Sequence, residues 1–123
     1  MSRLLLVDDD PQLLGLYRLI LEHAGHQVQA ADTCRNAFLL LAQTDPDVVI
    51  MDLRVPEMED GLALIRTLKN HRRPPGMPPL RVIVISGWTE DMPAGAEREF
   101  VDRVLAKPVR MEVLLRSIAD LAQ

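Results

Sequence analysis

Cysteine is almost absent: Cys34 is the only one in 123 residues, so no internal disulfide can form and a reducing cytoplasm is the expected compartment. On its helix that residue reads as an inert small side chain rather than a redox centre. No apolar run approaches the ~20 residues that cross a bilayer. The N-terminus also lacks a signal peptide's architecture, since Arg3 is followed by only four apolar residues before three aspartates. An excess of basic charge is missing too. Fourteen Lys and Arg against eighteen Asp and Glu leave a net charge of −4, which argues against direct nucleic-acid binding.

What is present is a regular alternation of short apolar runs and helical spacing. Leu4-Leu5-Leu6-Val7 ends abruptly in Asp8-Asp9-Asp10. Asp10 is a natural N-cap with Pro11 at the first helical position. Leu13, Leu14, Tyr17, Ile20, Leu21 and Ala24 then form a one-sided stripe that Gly25 stops. Val28 and Ala30 mark a weak second strand. Asp32 or Thr33 can cap the next helix, with Ala37, Leu40 and Leu41 inward and Asp45-Pro46 closing it.

The run Val48-Val49-Ile50-Met51 is apolar at every position, which suits a strand covered on both faces. Asp60-Gly61 is expected to open a helix with Leu64, Ile65 and Leu68 facing in. Four prolines and a glycine make the segment 70–79 a loop. Val82-Ile83-Val84-Ile85 is β-branched throughout and reads as the fourth strand. A short or irregular helix is expected within 89–100, a fifth strand over 101–106, and a last helix striped by Met111, Leu114, Leu115, Ile118 and Leu121. Five strands alternating with five helices predict an α/β fold, a parallel sheet sandwiched by helices. A single domain over residues 1–123 suits this length.

In an open parallel sheet, ligands bind where strands end and the chain turns toward a helix. Strand one ends in Asp8 and Asp9, strand three in Asp52, strand four in Ser86, and strand five in Lys107-Pro108. Three carboxylates would repel one another on such a rim. A hard divalent cation removes the conflict, and oxygen-only ligands favour Mg²⁺ over zinc. Lys107 supplies a mobile positive charge suited to a phosphoryl group, and Ser86 a hydroxyl. Asp52 is then the nucleophile of an in-line transfer.

These segments resemble the response-regulator receiver family of two-component signalling. The resemblance is carried by Leu6-Val7-Asp8-Asp9-Asp10-Pro11, Val49-Ile50-Met51-Asp52-Leu53-Arg54-Val55-Pro56, Ile85-Ser86-Gly87 and Ala106-Lys107-Pro108. It implies a flavodoxin-like (βα)5 sandwich with strand order 2-1-3-4-5, an order the pattern alone does not yield. It implies Asp52 as phosphoacceptor, Asp9 and Asp52 as direct Mg²⁺ ligands, Asp8 acting through water, and the Arg54 carbonyl as the third protein ligand. Ser86 and Lys107 match the phosphoryl-contacting hydroxyl and amine, and a cis peptide is implied before Pro108. The implied donor is a sensor histidine kinase or a histidine phosphotransfer protein. The implied output is a partner or effector domain meeting the face of helix four, strand five and helix five.

Three departures from the family pattern stand out. The stretch Pro56-Glu57-Met58-Glu59-Asp60-Gly61 is one residue longer than usual, with Val55 in place of Met. Val104 stands where an aromatic switch residue is common, which points to signalling through backbone shifts. Val109 replaces a frequent Phe. Arg54 and Trp88 occupy positions that tune phosphoryl lifetime in the family; they either obstruct attacking water or face solvent neutrally.

Ordinary readings account for other features. His23 and His26 flank a helix end, where histidine complements the dipole. Lys69, His71, Arg72 and Arg73 are expected to form a solvated helix terminus, and Pro74–Pro79 a stiff connector. A pseudo-receiver would lack an acidic position, and none is missing. An aspartyl-phosphate phosphatase would place a second acid where this chain has Arg54. A first strand starting almost at Met1 suggests a native N-terminus, and the last helix ending near Gln123 leaves room for an effector domain or kinase core.

Overall fold

The computed structural model describes residues 2–87 and 92–122. The order is β1 (Arg3–Val7), α1 (Pro11–His23), β2 (Gln27–Ala31), α2 (Cys34–Thr44), β3 (Val48–Asp52), α3 (Met58–Asn70), β4 (Arg81–Ser86), α4 (Ala96–Phe100), β5 (Arg103–Ala106) and α5 (Met111–Leu121). The five strands pair in parallel as β2-β1-β3-β4-β5. This is the expected flavodoxin-like order.

Strand periodicity divides the core between the two faces. Leu5, Val7, Val49, Met51, Val82 and Val84 pack with α2 and α3 through Ala37, Leu41, Leu64, Ile65 and Leu68. Leu4, Leu6, Val48, Ile50, Ile83 and Ile85 pack with α1 and α5 through Leu14, Leu21, Leu114 and Ile118. Both faces of the central strands are covered, which explains their unbroken apolar runs.

Helix boundaries follow local chemistry. The Asp10 side chain accepts from the amides of Gln12 and Leu13, and Thr33 caps α2 by accepting from Asn36. α3 begins earlier than Asp60-Gly61 suggests. Glu57 and Asp60 form a reciprocal capping box, so the helix starts at Met58 and Gly61 falls inside its first turn. The reason Gly61 must be glycine is packing. A Cβ there would lie 1.7 Å from the Leu53 carbonyl oxygen, so α3 rests directly on the backbone beyond β3. Ala24 caps α1 and is exposed rather than inward. The fifth strand begins only at Arg103 because Val101 closes α4, its amide donating to the Glu97 carbonyl, and the chain bends at Asp102.

The largest departure concerns the basic run. Arg73 is not solvated: its side chain is 6 % exposed, with Nε 3.2 Å from Asp45 and Nη2 3.0 Å from Asp47. Its Nη1 donates to the Pro78 carbonyl at 2.7 Å. Asp47 in turn accepts from the Arg3 amide at 2.8 Å. The guanidinium fork thus ties the proline-rich loop to the amino end of the sheet. Burial alone would raise the Asp47 carboxyl, but the Arg3 amide and Arg73 outweigh it and hold it below its ordinary value.

A depressed carboxylate adds stability above its unfolded-state pKa and loses it as pH falls through the folded value. Arg73→Ala is therefore expected to lower stability by about 1.5–3 kcal/mol near neutrality. The deficit should shrink below about pH 4. Thermal unfolding of both proteins across that range tests this; a deficit that stays constant with pH would contradict it.

Candidate functional site

The carboxyl ends of β1, β3, β4 and β5 form one rim, and parallel register fixes which residues meet there. Val7 pairs with Met51, Asp52 with Ile85, and Ser86 with Ala106. Each strand therefore delivers its polar terminal residues to the same level. Carboxylate oxygens of Asp8, Asp9 and Asp52 lie within 4.8 Å of one another. Asp8 and Asp52 are buried at 7 % and 8 % exposure, Ser86 at 2 %, and Asp9 is exposed.

Each acid is held by the backbone around it. Asp8 Oδ1 accepts from the Asp10 amide at 2.9 Å, which turns the chain into α1. Asp52 Oδ1 accepts from the Arg54 amide at 3.0 Å. Lys107 Nζ lies 2.5 Å from Asp52 Oδ2. Its own amide donates to the Ser86 carbonyl at 2.8 Å, and the following Lys107–Pro108 peptide is cis. A second cis peptide, Val55–Pro56, lies in the lengthened loop after β3 and carried no signal in the sequence beyond its proline.

Electrostatics follow from this crowding. Burial is the main cause that raises the Asp8 carboxyl, with Asp52 and Asp9 adding to it and the Asp10 amide and Lys107 opposing. Burial would lower the Lys107 amine, but its hydrogen bond to Asp52 and the charges of Asp52 and Asp8 hold it above its ordinary value. Carboxylates this close are a hard, all-oxygen donor set, and the residues present fit Mg²⁺.

A raised carboxylate works against the fold once ionised: stability falls as pH climbs from the ordinary carboxylate range through the raised value. In chelator at neutral pH, Asp8→Asn is therefore expected to unfold at a higher temperature than the parent. The amide retains an oxygen for the Asp10 N–H. A lower midpoint for the variant would contradict the account.

Other singled-out residues lie as follows. Arg54 is exposed beside the acids, and Trp88 lies outside the described residues. Val104 is partly buried against the α2–α3 side of the sheet, and Val109 packs on the α1–α5 side. Cys34 opens α2 and its thiol donates to the Val55 carbonyl at 3.4 Å. Burial, then Asp60, raises that thiol, consistent with an unreactive side chain. Sequence reasoning missed Tyr17, a core position by spacing, whose ring also lines a small cavity with Asp8 and Asp52.

A family model described as response regulator receiver domain matches residues 4–119. The chain belongs to that family. This receiver is 37 % identical over 119 residues to the transcriptional regulatory protein GlrR of Escherichia coli (strain K12), covering 97 % of this chain and 26 % of that relative. It thus spans about a quarter of GlrR's length. Its fold is similar to a CheY-like receiver domain from Methylobacillus flagellatus, with a TM-score of 0.82 at 24 % identity and 98 % of both chains covered. It is also similar to the response regulator TrrA from Thermotoga maritima in complex with Mg(2+)-BeF. There the TM-score is 0.80 at 20 % identity, covering 98 % of this chain and 99 % of that one. Receivers of this family are signalling modules of two-component response regulators. Among the described residues no helix is long and apolar enough to cross a membrane.

Proposed function

We propose that this receiver accepts a phosphoryl group on Asp52 in a Mg²⁺-dependent reaction and changes conformation to regulate a partner. The observation that carries the reading is the meeting of Asp52 with Asp8, Asp9 and Lys107 at one rim. Asp8, Asp9, Asp52 and the Arg54 carbonyl would hold the metal. When bound, Mg²⁺ supplies positive charge against the phosphoryl oxygens and vertices for them to occupy. The complex of TrrA with Mg(2+)-BeF accompanies this assignment.

The chain's own groups do the positioning. The Arg54 amide fixes Asp52 Oδ1, and Lys107 sits at Oδ2. An Asp52 oxygen attacks phosphorus in line as the donor's P–N bond breaks, and the donor histidine leaves as imidazole. Lys107 then shifts its charge from the carboxylate to the phosphoryl group, and the Ser86 hydroxyl follows a phosphoryl oxygen. Because Val104 offers no aromatic ring, the change passes through the backbone of β4 and β5 to the α4–β5–α5 face, shifting the population of two states.

The donor in this reading is a sensor histidine kinase or a histidine phosphotransfer protein, in the cytoplasm. The output is an effector domain or partner on that face, with the receiver itself touching neither nucleic acid nor membrane. The whole of 1–123 acts as one receiver domain that assists its own phosphorylation and dephosphorylation. Arg54 and Trp88 shield the acyl phosphate from water; alanine at either position is expected to hasten its loss. The deciding experiment is incubation with Mg²⁺ and a small phosphodonor, followed by peptide mass spectrometry. A phosphoryl adduct on the Asp52 peptide, absent with chelator, is expected. An adduct elsewhere, or one indifferent to Mg²⁺, would overturn the reading.

A further inference from the structure

The apolar stripe of α1 includes one side chain with a polar end, Tyr17. Leu14 and Leu21, a turn either side of Tyr17, are buried in the α1–α5 half of the core, and Tyr17 packs against the same cluster. A leucine would serve such a position. Helical side chains lean toward the helix N-terminus, and the N-terminus of α1 follows directly on Asp8, Asp9 and Asp10. A long side chain at position 17 therefore reaches back toward the acids.

Where it ends is fixed by a cavity of about 10 Å³ lined by Asp8, Tyr17 and Asp52, with Leu6, Leu14 and Ile85 closing it. That volume is about the size that holds a single water. Tyr17 thus shares a one-water cavity with both buried carboxylates. Tyr17 is half-buried, and the acceptors its cavity offers a tyrosine hydroxyl are the two carboxylates. Asp8 Oδ1 already takes the Asp10 amide, which leaves Oδ2 as the oxygen for a second donor. The electrostatics agree: burial first, then the charge of Asp8, raises the Tyr17 phenol, while Lys107 opposes and Asp52 adds.

We propose that Tyr17 is a positioning residue of this receiver's metal site, its hydroxyl donating to the Asp8 carboxylate through one water in that cavity, and so fixing that carboxylate for Mg²⁺. The proposal rests on the reading of the rim as a Mg²⁺ site. Groups that orient metal ligands from behind change affinity about 10- to 100-fold when removed.

The test is calorimetric titration of Mg²⁺ into the full chain, with no phosphodonor present. Tyr17→Phe keeps the ring and removes one oxygen. It is expected to bind Mg²⁺ about tenfold more weakly, with an unchanged unfolding midpoint in chelator. Should that midpoint fall as well, the Asp8→Asn background decides. There Tyr17→Phe should weaken Mg²⁺ no further, because its effect runs through Asp8. Affinity of Tyr17→Phe within twofold of the parent overturns the proposal, as does an equal loss in both backgrounds. A parent chain that does not bind Mg²⁺ overturns the reading of the site itself, so the two failures are distinguishable.

Discussion

Asp52→Asn is expected to abolish the phosphoryl adduct, leaving intact mass unchanged after incubation with Mg²⁺ and a small phosphodonor. The carboxamide keeps the shape of Asp52 and an oxygen for the Arg54 amide, whose hydrogen bond to Oδ1 spans 3.0 Å. What it removes is the anionic nucleophile and the partner of Lys107. Neither neighbouring acid can stand in. Asp8 is buried and already accepts from the Asp10 amide, while Asp9 is exposed and outside the Lys107 contact. Mg²⁺ binding should also weaken, since one of three clustered carboxylates is gone. Intact mass and calorimetry together check the pair of effects. An adduct formed on the Asn variant at the parent's yield would rule Asp52 out as the acceptor.

Gly61→Ala is expected to produce the largest loss of stability from a single methyl group in this chain. An added Cβ would sit 1.7 Å from the Leu53 carbonyl oxygen and 2.7 Å from its carbon, both backbone atoms that cannot swing aside. α3 or the strand end must move. Overpacking of this kind costs about 2–3 kcal/mol, which for a chain of this length lowers the unfolding midpoint by roughly 10 °C. The damage should also reach the rim, because Leu53 lies between Asp52 and Arg54, and Mg²⁺ affinity should fall with stability. Gly15→Ala is the matched control. It lies within α1 with nothing inside 4 Å of a new Cβ, so alanine should stabilise by about 0.5–1 kcal/mol. Equal midpoints for the Gly61 variant and the parent would show that α3 does not press on Leu53.

Much of this architecture was legible in the residues. Runs such as Val48–Met51 and Val82–Ile85 are apolar at every step because both faces of the central strands are covered, and their ends named Asp52 and Ser86 directly. Asp10 and Thr33 announced helix starts through side chains that cap amides. Other features depend on contacts between distant segments, which periodicity does not encode. The start of α3 moved because Glu57 and Asp60 cap each other. Arg73 looked like part of a solvated cationic run because Asp45 and Asp47 lie 28 and 26 residues away in sequence. Tyr17 fitted the core stripe so well that spacing gave no reason to ask where its hydroxyl pointed.

The Arg73 fork has a consequence for how the molecule divides its tasks. It locks the amino pole of the sheet with opposite charges in contact, while the carboxyl pole crowds like charges together. A chain so anchored at one pole can tolerate electrostatic discord at the other without unravelling. In the proposed reading a bound cation would relieve that discord and the acyl phosphate, more negative than the carboxylate it replaces, would renew it, both changes falling at the pole that signals.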